Sequence, residues 1–196
     1  MDGDPTLGAA RARYFEENGF GADGGYGAAW VDFHLGPLPF PFPNTAARVR
    51  AVRFHDLHHL VTGYRTDLLG ELEISAWELG SGCADMTAAW VLNLGGFAAG
   101  LLWSPRRIFR ALVRGRRSRN LYRETFDDAL LSRKLSEVRE DLGLAGAPPR
   151  AQAADLAVAA FYGIFGLAVG LALFAIVAPI APIGAVALNV ARRRAA

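Results

Sequence analysis

His55, Asp56, His59 and Glu71 are the residues whose types and spacing could do chemistry. His55 and His59 are four apart, one helical turn, so both imidazoles reach a common point on one helix face. Asp56 is turned about 100° from His55 and stands at the edge of that face. Glu71 follows His59 after eleven residues that include Gly63, where the chain can reverse and return Glu71 on a partner helix. Two imidazoles and two carboxylates suit Zn2+ well, and Fe2+ or Mn2+ less distinctively. The spacing therefore predicts a metal site on two successive helices with four ligands, His55, Asp56, His59 and Glu71. Asp56 and Glu71 are the candidate catalytic carboxylates, with Asp56 able to move a proton if it swings off the ion.

Other histidine motifs fit less well. A zinc protease carries HExxH, whose Glu activates water, and Asp56 in that position is one methylene too short. HDLHH also matches the HxxHH box of membrane desaturases, but those di-iron enzymes need more than the four histidines here. A phosphohydrolase of the HD type needs an upstream His, and His34 is the only one. His58 is either a supporting or substrate-facing group or a surface residue, and the surface reading is preferred.

The elements that must position these residues read as helices. A short helix runs from Thr6 to Asn18 and ends at Gly19. Residues 21–43 are rich in glycine, proline and aromatics, and Pro37, Pro39, Pro41 and Pro43 forbid a regular helix at their end. An extended segment crossing a surface is expected there, with Trp30, Phe33, Phe40 and Phe42 against helices or lipid. Asn44 is the expected N-cap of the HDLHH helix, and Thr66 or Asp67 of the next, which carries Glu71 to about Leu79. Residues 86–103 are uncharged and read as a buried core helix at the lower edge of membrane-spanning length. Pro105 starts a helix, and seven arginines lie between residues 106 and 119.

No charge occurs in residues 156–191. The first 23 of these would make a helix about 35 Å long, enough for a hydrocarbon core of about 30 Å. Pro179 and Pro182 interrupt the run, so either one membrane-inserted helix or a re-entrant pair is expected. Three segments result: an extended N-terminal segment (1–44), a helical domain (45–149) and a membrane-inserted segment (150–196). Apolar residues at 52% and charged ones at 20% exclude a disordered chain. Cys83 is alone, so no internal disulfide is available, and it reads as a buried apolar residue. The arginine cluster fits anionic headgroups or a solvated helix face. It lacks the aromatic interleaving of a nucleic-acid site, so no nucleic-acid partner is expected. The N-terminus is charged and no secretory signal, which points to the cytoplasmic face of the inner or cell membrane.

The run HDLHHLVTGYRTDLLGE, residues 55–71, resembles the HDxxHx(11)E signature of the ubiquinone (coenzyme Q) biosynthesis protein 4 family. RGRRSRNL (114–121) and LSEVREDLGL (135–144) resemble that family's later segments more loosely, so the resemblance covers roughly residues 45–149. It implies an all-α protein, peripheral at the inner membrane, with zinc on His55, Asp56, His59 and Glu71. It implies a part in ubiquinone assembly: loss of the C1 carboxylate of a polyprenyl hydroxybenzoate, a metal-dependent lyase step, with hydroxylation at that carbon. The implied partners are membrane lipid, the prenylated quinone precursor and a multi-enzyme complex, and a homodimer is admitted. The alternatives are a non-catalytic lipid-binding scaffold for quinone-biosynthesis enzymes and a membrane metal hydrolase acting on another lipid. Residues 1–44 and 156–191 depart from the family pattern.

Overall fold

A computed structural model describes residues 3–35 and 38–195; Met1, Asp2 and Pro37, which belong to the N-terminal reading, lie outside them. The chain is all-α in class: nine helices and two small β-ribbons are found among the described residues. Helix α1 (Leu7–Asn18) is capped by Thr6, whose Oγ1 accepts the Ala9 N–H, and ends at Gly19 in the left-handed region. The proline-rich stretch forms a nested antiparallel hairpin. Strands β1 (Trp30–Val31) and β4 (Phe42–Pro43) pair outside β2 (His34–Leu35) and β3 (Leu38–Pro39). Pro39, Pro41 and Pro43 hold the return arm extended and remove ladder donors, which keeps the strands short.

Helix α2 (Ala46–Thr62) begins one residue later than expected. Thr45, not Asn44, is its cap, with Oγ1 accepting the Arg48 N–H at 3.2 Å. The Asn44 amide instead donates to the carbonyls of Gly25, Tyr26 and Ala28 and clamps the glycine-rich loop to the start of α2. Asp67 caps α3 (Leu68–Ser81) through the Gly70 N–H at 2.8 Å. That helix continues past Leu79 because Gly80 lies against the backbone of α5 (Pro105–Gly115), where a Cβ would stand 2.4 Å from the Leu112 carbonyl oxygen. Helix α4 (Thr87–Trp103) completes the core with α2, α3 and α5 around Leu57, Ile74, Trp77, Phe97, Ile108 and Leu112. Two short helices follow, α6 (Asp128–Ser132) and α7 (Leu135–Asp141).

Helix α8 (Ala153–Val177) and helix α9 (Ala181–Ala195) close the chain. Helix α8 is long and apolar enough to cross a membrane, and little of it is buried. One face packs on α4, where Gly166 meets Leu94 and Gly170 meets Gly95. Leu156, Phe161, Ile164, Phe165, Leu167 and Leu171 are exposed. Most of the arginine cluster serves the fold. Arg107 pairs with Glu73, Arg116 and Arg117 with Asp155, Arg114 donates to the Thr62 carbonyl, and Arg119 to that of Asp141. Arg106 and Arg110 are exposed. Cys83 is fully buried, as its type suggested.

Candidate metal centre

The turn between α2 and α3 sets the site. Gly63 ends α2 at φ 76°, a value that disfavours any side chain, and its N–H donates to the His59 carbonyl. Gly70 then sits so close to the Arg65 carbonyl that a Cβ would come within 2.0 Å of its oxygen. This tight turn lets Glu71, in the first turn of α3, face back onto α2.

His55, His59 and Glu71 converge there and could hold a metal ion. The two Nε2 atoms are 3.1 Å apart, His55 Nε2 is 3.2 Å from Glu71 Oε2, and His59 Nε2 is 3.3 Å from Glu71 Oε1. Ligand atoms held at ~2.0–2.1 Å from a tetrahedral zinc lie about 3.3 Å from one another, so this spacing fits such an ion. The far nitrogens fix the tautomers. His59 Nδ1–H donates to the Tyr64 carbonyl at 2.9 Å, which can only accept, and His55 Nδ1–H donates to Glu78 Oε1 at 3.0 Å. Both Nε2 lone pairs are thereby turned inward, the arrangement expected of ligating histidines.

Glu78 is the residue that sequence reasoning missed. It is fully buried and accepts four hydrogen bonds. Oε1 takes His55 and His58 (2.7 Å), and Oε2 takes Asn93 Nδ2 (2.5 Å) and the Tyr122 hydroxyl (2.7 Å). A signal was available: Glu78 is seven residues after Glu71, two turns along one helix face, and stands between the apolar Trp77 and Leu79. The surface reading of His58 is overturned. It is fully buried, donates from Nδ1 to Glu78, and accepts the Leu121 N–H at Nε2 (3.0 Å). With one nitrogen donating and the other accepting it is neutral, and burial holds its pKa below the usual value.

Electrostatics follow this geometry. Burial opposes a charge on His55, but Glu78 and Glu71 outweigh it and raise its pKa well above the usual value. Desolvation pushes the Glu71 carboxyl up, but hydrogen bonds from His55 and His59 hold it at about 2. Burial likewise opposes ionisation of Glu78, and His55 and His58 hold it well below the ordinary carboxylate range. His55 and Glu71 therefore each favour the charged form of the other.

Asp56 does not join the three converging side chains. It is buried, its Oδ2 accepts the Tyr26 hydroxyl at 2.5 Å, and burial raises its pKa. It remains within electrostatic reach of His55, His59 and Glu71. Tyr14 stacks on the His59 ring with centroids 5.8 Å apart, so tyrosines from α1 and the glycine-rich loop cover one side. Tyr26 also lines an open groove of about 730 Å³ with Arg50, Arg53, Phe54 and Phe126. Arg48 lies on the face of α2 that carries His55 and His59, seven residues before His55. It is half-buried, donates to Asn44 Oδ1 at 2.9 Å and covers the Phe42 ring, and no carboxylate forms an ion pair with it among the described residues. No family model, curated protein or solved structure matches the chain.

Proposed function

We propose that the protein is a zinc-binding, membrane-associated member of the ubiquinone biosynthesis protein 4 family. In this reading it acts at the cytoplasmic face of the membrane on a polyprenyl hydroxybenzoate and removes the C1 carboxylate. The observation that carries it is the convergence of His55 Nε2, His59 Nε2 and Glu71 at 3.1–3.3 Å with both far nitrogens pinned as donors. The HDxxHx(11)E run supplies the family, and the exposed apolar face of α8 supports a lipid surface.

A bound divalent ion would supply a Lewis acid for an oxygen of the substrate. The remaining roles fall to this chain's own groups. Arg48, a half-buried cation that forms no close ion pair among the described residues and feels Asp56 and Glu71 only at longer range, receives an anionic oxygen of the substrate. Asp56, whose burial favours the protonated carboxyl against the opposing hydrogen bond from Tyr26, is the group placed to pass a proton to C1 as carbon dioxide leaves with its bond electrons left on the ring. Hydroxylation at C1 needs an external oxidant and is not assigned to these residues.

A second reading, the non-catalytic scaffold with a structural ion, is favoured by the tyrosine cover and by Asp56 being engaged with Tyr26. One experiment separates the two. Purified protein and its Glu71→Ala variant are analysed for metal content and for release of labelled carbon dioxide from a carboxyl-labelled prenyl hydroxybenzoate. Stoichiometric zinc and turnover in the parent, with both lost in the variant, support the enzyme. Turnover that survives loss of the metal removes the enzymatic reading of the site.

A further inference from the structure

Helix α8 is 25 residues long, about 37 Å, and by length alone reads as a membrane span. Its attachments argue otherwise. At its N-terminal end Asp155, fully buried, pairs with Arg116 at 2.6 Å and Arg117 at 2.9 Å, just beyond α5. Along its length Gly163 meets Leu101, Gly166 meets Leu94 and Gly170 meets Gly95. At its C-terminal end Phe174 stacks on Phe40 of the hairpin, with centroids 5.5 Å apart and planes within 3°. Beyond the Pro179 turn, Gly184 lies under Trp30 and Pro41, and Arg192 pairs with Asp32. Both ends of α8, and the turn after it, are therefore fastened to one body.

A spanning helix has its ends on opposite sides of the bilayer. Here that would carry the hairpin, with Asp32 and Arg192, and the adjoining α2, with Arg48, Arg50 and Arg53, through the hydrocarbon. Charged side chains at the bilayer centre are strongly disfavoured even on permissive scales. The outward half of α8 tells the complementary story. Ile164, Leu171 and Phe161 are each more than 60% exposed, and no charge interrupts the helix after Asp155. The apolar surface continues onto Ile183 and Val186 of α9, and at the end of α4 onto Leu102 and Trp103. Cations stand at both limits of the patch: Arg106 and Arg110 after Trp103, and Arg192 and Arg193 on α9. An aromatic and basic rim around an apolar face is the signature of seating at a lipid interface.

We infer that α8 and α9 lie in a single leaflet of an anionic bilayer, so that the chain enters from one side and does not cross. This rests on the membrane association proposed above and deepens it by fixing the mode of contact. It differs from both modes expected of the sequence, a spanning helix and a re-entrant pair with its proline turn deep in the hydrocarbon.

The test uses the full-length chain in sealed membrane vesicles and a membrane-impermeant maleimide. Cys83 is buried and gives a silent background. Single cysteines replace exposed residues before α8 (Ala151→Cys), at the turn (Pro179→Cys), on α9 (Asn189→Cys) and on the lipid-facing side (Leu171→Cys). The expected result is that the first three label from the same side and Leu171→Cys is protected until detergent is added. Labelling of Pro179→Cys only from the side opposite Ala151→Cys means that the helix crosses and overturns the inference. Protection of Pro179→Cys from both sides means a re-entrant pair and also overturns it. Protein that fails to float with the vesicles at all removes the membrane association itself, an outcome distinct from either topology.

Discussion

His55 and Glu78 are joined by a 3.0 Å hydrogen bond from Nδ1 to Oε1, and the same oxygen accepts from His58 at 2.7 Å. One buried carboxylate thus orients a candidate ligand and ties it to a neutral histidine, a tyrosine and an asparagine. Outer carboxylates of this kind typically contribute 10- to 100-fold to metal affinity. Glu78→Gln should therefore weaken zinc binding by about that factor while Glu71 and His59 remain in place, as read by competition with a chromogenic chelator. Glu78→Ala leaves His58, Asn93 and Tyr122 without their acceptor and should cost about 3–5 kcal/mol in denaturant unfolding. Unchanged affinity in Glu78→Gln would show that His55 keeps its orientation without the carboxylate.

Zinc binding should be pH-dependent with a definite sign. In the metal-free protein the folded pKa of His55 is raised, so its contribution to stability is complete below the ordinary histidine value and is lost as pH rises through the folded one. Glu71 is depressed to about 2, so its contribution is present above the ordinary carboxylate value and lost as pH falls toward 2. An incoming ion must displace the His55 proton. Apparent zinc affinity should accordingly rise with pH by about one log unit per unit until His55 is deprotonated. Titrations with a competing chelator at several pH values check this, and a flat profile would count against His55 as a ligand.

Gly70→Ala is predicted to damage the site from outside it. A Cβ there would meet the Arg65 carbonyl oxygen at 2.0 Å, and backbone cannot yield as a side-chain tip can. The turn must open, which should cost about 1–3 kcal/mol and displace Glu71. Lower thermal stability together with substoichiometric zinc is the expected pair of results. Loss of neither would mean that the turn is soft.

Arg48→Ala separates substrate binding from metal binding. A charge-assisted hydrogen bond contributes ~1.5–3 kcal/mol, so affinity for 4-hydroxybenzoate as a soluble probe should fall about 10- to 100-fold. Zinc content should change far less, because Arg48 bonds to Asn44 and covers Phe42 and reaches Glu71 only through its electrostatic field. Calorimetry on the zinc-loaded protein and elemental analysis read the two quantities separately. Equal loss of probe and metal would place Arg48 among the supports of the fold instead.

The converging trio was legible because it depends on local rules. The His55–His59 spacing is one helical turn, and Gly63 and Asp67 mark where one helix stops and the next begins. Most helices were legible for the same reason. What escaped the sequence depends on distant partners. Glu78 became visible as a hub only when α4 brought Asn93 and the loop after α5 brought Tyr122. Asn44 is a good cap by type, but Thr45 took that position while the Asn44 amide held the loop of Gly25, Tyr26 and Ala28. Asp56 stands where helical geometry put it, at the edge of the face. Its capture by Tyr26, thirty residues earlier, follows from a fold of the N-terminal loop that no local pattern encodes.

The glycine seam between α4 and α8 acts as a spacer of fixed thickness. Gly166 touches the Leu94 backbone so closely that a Cβ would stand 2.3 Å from its carbonyl oxygen, and the Gly95 and Gly170 backbones meet a few residues away. Helix α4 in turn rests on α3, the helix that presents Glu71 and Glu78, through Gly96 against Ser75. The distance from the exposed apolar face of α8 to the two imidazoles is thus set by a glycine-spaced stack, backbone on backbone between α8 and α4 and Gly96 on the Ser75 side chain between α4 and α3. Any residue larger than glycine in that stack would push His55, His59 and Glu71 further from the exposed apolar face of α8. The depth of the three converging side chains beneath that face is in this way written into positions that carry no chemistry of their own.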